Sequence, residues 1–153
     1  MSYVNKLAGL GYILQQTDLN TGRFMGAVQV GNLVYSSGAV SRFQEHEIKG
    51  HIGADLTVDQ GYQAARLSTL NALQAVHTLV GLDNVVRIVK VLGMVNVAPG
   101  FDNTPAVIHG CSDLLLEVFG DAGRHARSAV GMVIPFAFAT EVELIVQVAH
   151  PTA

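Results

Sequence analysis

A run of polar and charged groups, Gly120-Asp121-Ala122-Gly123-Arg124-His125-Ala126-Arg127-Ser128-Ala129-Val130, stands where a helical pattern gives way to a strand-like one. Arg127 has the most chemistry to offer. A planar guanidinium at the start of a strand can take a carboxylate through two parallel hydrogen bonds, a geometry that lysine cannot copy. The same side chain could instead close a structural salt bridge or lie on the surface. Glu141 opens the last strand-like segment, where it could orient or deprotonate a water, or pair with an arginine.

Other patterns carry less. His46-Glu47 followed by His51 approaches the H-E-x-x-H zinc motif, but the spacing is one residue too long to put both imidazoles on one helical face, so these read as solvated loop histidines. Asp18, Asn20 and Gly22 have the wrong glycine position for a calcium loop, and its last ligand position holds Gln29. Gly9 and Gly11 lack the third glycine and the preceding strand of a dinucleotide site. Cys111 falls inside a helix with no patterned base beside it and reads as a packed thiol.

The elements that position Arg127 and Glu141 follow from periodicity. Segments 27–30 and 33–36 are short β-prone runs flanking Gly31-Asn32, a pair suited to a tight hairpin turn. Residues 41–56 are polar and read as a surface loop. Thr57-Val58-Asp59-Gln60 matches a capping box, and apolar residues from Ala64 to Val80 then recur at helical spacing until Gly81. Residues 85–97 read as a long strand largely buried on both faces. A second helix is expected from Thr104, as capping residue, with Pro105 in its first turn, through Phe119. Segments 128–134 and 141–148, joined around Pro135, read as two antiparallel strands paired with each other. Residues 1–22 give the weakest pattern.

The expected order, β-β-α-β-α-β-β, makes an α/β (α+β) fold: a mixed sheet with two helices on one face, in one domain over 1–153. In the last strand Val142, Leu144, Val146 and Val148 would face the helices, leaving Glu141, Glu143, Ile145 and Gln147 on a mixed second face that suits packing against another copy. Composition agrees, with 50% hydrophobic and only 14% charged residues. A formal charge of -3, with nine scattered Lys and Arg, supplies no phosphate-neutralising stripe and argues against nucleic acid. No apolar run reaches the ~20 residues that span a bilayer, the N-terminus lacks signal-peptide features, and one cysteine makes no internal disulfide. The expected location is cytoplasmic.

Two stretches resemble a known family. Ala126-Arg127-Ser128, a short apolar strand, Pro135 and Glu141-Val142-Glu143 are similar to the closing signature of the RidA (YjgF) family, and Val28-Gln29-Val30-Gly31-Asn32-Leu33-Val34-Tyr35-Ser36-Ser37-Gly38 resembles its opening hairpin. Gly53-Ala54-Asp55-Leu56-Thr57 and Phe119 to Gly131 are similar to the branch called chorismate-mutase-like or endoribonuclease-like. The resemblance runs from Gly22 to Val148. It implies a chorismate-mutase-like (bacillar type) fold, a homotrimer with clefts between subunits, and hydrolysis of reactive imines or enamines, such as 2-iminopropanoate, to 2-keto acids and ammonia.

By that match Arg127 grips the substrate carboxylate and Glu141 positions the attacking water, with Phe24, Ser37, Gly38, Ser112 and Ala129 lining the cleft. No metal or organic cofactor is implied, because an imine carbon is already electrophilic. The chain departs from the pattern at Phe24, where a tyrosine is usual, at Ala129, which replaces a cysteine, and at Ser112, which stands for an asparagine. His109, Ser112 and His125 read as structural or as contributions particular to this branch. The alternative to an enzyme is a non-catalytic module that binds small carboxylates or a partner, and a ribonuclease or translation inhibitor is a third reading.

Overall fold

The computed structural model describes residues 2–151. Its element order is α1 (Tyr3–Gly9), β1 (Ala27–Val30), β2 (Leu33–Ser36), β3 (Ala39–Val40), β4 (Arg42–Phe43), β5 (His46–Glu47), α2 (Val58–Val80), β6 (Val85–Asn96), α3 (Thr104–Phe119), β7 (Ala126–Met132) and β8 (Thr140–Val148). The main sheet runs β1-β2-β8-β6-β7, with β3 also pairing β8, and only the β6–β7 pair is parallel. Helices α2 and α3 pack on one face. No helix among the described residues is long and apolar enough to cross a membrane.

The expected hairpin forms at Gly31, whose φ of 60° is one that glycine adopts without strain. The capping box forms as well: Thr57 Oγ1 accepts from Gln60 N at 3.1 Å, and Gln60 Oε1 accepts from Thr57 N at 2.8 Å. Helix α2 then buries Ala64, Leu70, Leu73 and Val76 against the sheet. The opposing sheet residues are Val34, Ile88, Val91, Val142, Leu144 and Val146, all at most 1% exposed. Each such side chain contributes roughly 1.5–3 kcal/mol on burial. Cys111 is buried in the same core and its thiol is pushed up to about 12 by desolvation, so it is a packing residue.

Several expectations are corrected. The last strand does not pair with its predecessor: β8 lies antiparallel between β2 and β6, while β7 is parallel to β6 on the far edge. The cause is the crossover through α3, which lays β7 beside β6 in the same direction. The next strand enters on the other side of β6. A turn at Pro135–Ala137, with Phe136 and Ala137 at φ of 58° and 61°, reverses the chain for this.

Strand β7 also starts and ends two residues earlier than the expected 128–134. Helix α3 is capped by Asn103 without a side-chain bond, and Thr104 instead donates from Oγ1 to Ala129 O at 2.9 Å, tying the helix to β7. The first part of β6 is not buried on both faces, since Val86 and Arg87 are exposed where two register shifts interrupt the pairing. Residues 41–56 contain the β4–β5 hairpin rather than plain loop. It is held by Ser41, whose Oγ donates to Ile48 O at 2.7 Å and accepts from Ala139 N at 3.1 Å. A third helix, α1, packs Leu7 into the core and Tyr3 on the ring of Phe119.

Candidate functional site

The expected site residues fall into two groups. The first gathers where β2 breaks into β3. Tyr35 faces Ile145 and Ala39 faces Val142, so residues 36–38 oppose only 143–144 and the strand bulges. The bulge is satisfied internally: Ser36 Oγ accepts from Leu144 N at 2.9 Å, and Ser37 Oγ donates to Met25 O at 2.6 Å. Gly38 leaves room for the Glu141 carboxylate, on which a Cβ there would fall. A cavity of about 230 Å³ opens beside it, lined by Phe24, Ser37, Gly38, Val40, Arg42 and Asn71 among others. Phe24, 60% exposed, forms one wall.

Glu141 is set by its neighbours on β8. Val142 points into the core, so Glu141 points away from the helices, and Thr140 anchors the strand through a 2.8 Å bond between its Oγ1 and Ser68 Oγ on α2. Partial burial, and then the nearby negative charge of Glu143, raise the Glu141 carboxyl above the ordinary range. Such a carboxylate is a better proton acceptor than an exposed one.

The second group forms between β7 and α3. Arg127 lies opposite Val91, whose side chain is in the core, so it faces the helix layer. Its Nη1 reaches His109 Nδ1 at 3.0 Å and Ser112 Oγ at 3.2 Å. Ser112 Oγ is 2.9 Å from His125 Nε2, and His125 Nδ1 is 2.6 Å from Gly123 O. Ala129 follows on β7, its carbonyl held by Thr104.

Arg66 and Arg124 each have a carboxylate partner, Glu117 and Asp121. Arg127 has none among the described residues, although it is half-buried. Its Nε and Nη2 are also without a hydrogen-bond partner there.

The two groups do not meet within one chain. Strand β6 separates β7 from β8, which puts their axes roughly 10 Å apart. Glu141 and Arg127 also face opposite sides of the sheet. Ser112 touches Arg127 rather than the cavity beside Gly38. Sequence reasoning gave no firm role to His109 and His125, yet the signals were present: His109 and Ser112 are three apart on one helix face, and His125 and Arg127 two apart along an extended chain.

The remaining motifs are turns. Asp18 and Asn20 accept backbone N–H groups of Asn20 and Gly22, and His51 turns to Asp55, with Nδ1 3.1 Å from Oδ2. The backbone and side-chain hydrogen bonds from His51 hold the Asp55 carboxyl below its usual range.

Fold and site together define a small mixed α/β protein with an uncompensated arginine at the sheet edge and a basic carboxylate on the opposite face. The chain belongs to the family described as "YjgF/chorismate mutase-like, putative endoribonuclease", which it matches over residues 5–147. It is 45% identical over 101 residues to Protein TCP17 of Trypanosoma cruzi, a match spanning 64% of this chain and 63% of that protein. Its fold superposes on a Shewanella oneidensis protein named a "putative endoribonuclease", with TM-score 0.89 and 32% identity, covering 97% of this chain and all of the other. A second solved structure, Atu1372 of Agrobacterium tumefaciens, of unknown function, gives TM-score 0.86 at 32% identity over 95% of this chain and 91% of its own.

Proposed function

We propose that this protein is a cytoplasmic homotrimeric enzyme that hydrolyses 2-imino acids to 2-keto acids and ammonia, in clefts between neighbouring copies. The observation that carries the reading is Arg127: a half-buried guanidinium without a carboxylate partner among the described residues, held by neutral acceptors at Nη1 alone. Its Nε and Nη2 hydrogens form the side-on fork that a carboxylate fits. Glu141 lies on the opposite face, so a three-carbon substrate touching both needs a second copy of the chain. The exposed apolar side chains of Val28, Tyr35, Val130 and Met132 favour such packing.

In this reading the substrate carboxylate docks on Arg127 of one copy and the imine carbon lies toward Glu141 of the next. Water held by Glu141 adds to that carbon: an oxygen–carbon bond forms, the C=N π pair moves to nitrogen, and the water proton passes through Glu141 to the same nitrogen. The carbinolamine collapses when an oxygen lone pair forms the carbonyl. The C–N pair leaves on nitrogen, the hydroxyl proton follows it, and ammonia departs.

The test is the lifetime of 2-iminopropanoate made in situ from serine by a dehydratase. The wild type shortens it, and Glu141→Gln, which keeps the shape but takes no proton, does not. Inactivity of the wild type across several imino acids replaces this reading with that of a carboxylate-binding module. Phe24 and Ala129 favour that second reading, since they bring no hydroxyl or thiol to the cleft. The endoribonuclease name borne by relatives gains no support from a chain of formal charge -3.

A further inference from the structure

The hydrogen bonds around Arg127 have a fixed direction. A guanidinium only donates, so His109 presents a lone pair at Nδ1 and, as a neutral ring, carries its proton on Nε2. The carbonyl of Gly123 only accepts, so His125 is protonated at Nδ1 and, as a neutral ring, offers a lone pair at Nε2. With His125 in that neutral form, Ser112 donates its hydroxyl hydrogen to His125 and turns its oxygen lone pairs toward Arg127. The chain runs from Arg127 to Ser112 to His125 to the Gly123 carbonyl. Nη1 thus donates to both His109 and Ser112.

We propose that His109, Ser112 and His125 are positioning residues: a neutral cradle that fixes the plane of the Arg127 guanidinium and reserves its Nε–Nη2 edge for one carboxylate. This rests on the reading of Arg127 as the substrate anchor. The neutrality of the cradle is central to its effect. Aspartate or glutamate in these places would orient the arginine equally well but would cancel the charge that attracts an anion. Imidazole and hydroxyl acceptors orient it and leave the full positive charge available. With Nη1 engaged, one edge remains, which suits a monocarboxylate such as a 2-imino or 2-keto acid. Ser112 thereby acts through Arg127 and not as a contact to substrate.

The experiment uses the full chain, pyruvate as probe, and two readouts. Calorimetric titration should show Arg127→Lys, His109→Leu and Ser112→Ala each weakening pyruvate about tenfold or more, the loss expected for a hydrogen bond to a charged group. His109→Asn, whose Oδ1 can occupy the place of Nδ1, should stay within about threefold of the wild type. A merely structural histidine would not distinguish asparagine from leucine in this way. Loss of affinity in Arg127→Lys alone, or equal affinities for His109→Leu and His109→Asn, would overturn the cradle and leave the anchor standing. If the wild type binds no pyruvate, the anchor reading falls. Nitrogen-15 spectra then decide the cradle alone: Nδ1-protonated His125, Nε2-protonated His109 and slow rotation about the Arg127 guanidinium support it, and the opposite tautomers refute it.

Discussion

Replacing Gly38 with alanine separates the chemistry of Glu141 from the stability of the fold. An ideal Cβ on Gly38 falls on Oε2 of Glu141 and lies 2.8 Å from its Cδ and 3.2 Å from its Cγ. Carbon atoms pack at about 3.5–4.0 Å, so the carboxyl group must retreat by roughly 1 Å. It can do so by rotating its own side chain. The folding cost is that of an off-rotamer torsion, about 0.5–1.5 kcal/mol. The catalytic cost is larger, because a displacement of about 1 Å in a reacting group can lower the rate about a hundredfold. Gly38→Ala should therefore unfold in urea within about 1.5 kcal/mol of the wild type while losing most of its effect on 2-iminopropanoate lifetime. The assay pairs a urea titration with the dehydratase-coupled imine assay on the same preparation. A variant that keeps full activity would refute the role of the Glu141 carboxylate in that position. One that unfolds outright would show that the carboxylate is rigidly wedged.

Gly110→Ala should behave in the opposite way, since its Cβ would meet the backbone carbonyl of Tyr62 where α3 crosses α2; separating two helices costs about 1–3 kcal/mol, readable as a lower urea midpoint. Glu141→Gln should change the pH dependence of stability. The folded pKa of Glu141 is raised, so the native state holds the proton more tightly and wild-type stability falls as pH climbs from about 4.3 through the folded pKa. The glutamine variant should lack that decline in thermal melts from pH 4 to 8; parallel profiles would contradict the raised pKa. Light scattering should give a trimer of about 49 kDa, three times the 16.2 kDa chain. Ile145→Lys, on the sheet face away from the helices, should dissociate it, and an unchanged mass would place the interface elsewhere.

Local elements were legible because their causes are local. The capping box at Thr57 and Gln60, the turn at Gly31, and the alternation of Val142, Leu144 and Val146 each rest on residues a few positions apart. Strand order was not, because nothing between Met132 and Thr140 states whether the chain will pair with β7 or cross to the far side of β6. Thr104 misled for a related reason. A hydroxyl before a proline is a good cap, and only the arrival of β7 gives it the Ala129 carbonyl instead. Helix α1 is too short for periodicity to reveal, and Leu7 is its single buried residue. Arg127 and Glu141 were recognisable as candidate groups, but the strand misassignment hid the fact that they lie on opposite faces.

That separation has a chemical consequence. Within about 4 Å of each other the two would form an ion pair, the guanidinium would lose its claim on an outside carboxylate, and the glutamate would become a weaker base. The sheet prevents this. On one face, neutral acceptors orient Arg127 without cancelling its charge. On the other, partial burial and Glu143 raise the proton affinity of Glu141 with no cation to oppose them. Each group thus keeps the property that hydrolysis of an imino acid would need. In the proposed assembly the substrate lies between them, its carboxylate answering the arginine, so that the two protein charges can act together without neutralising each other directly.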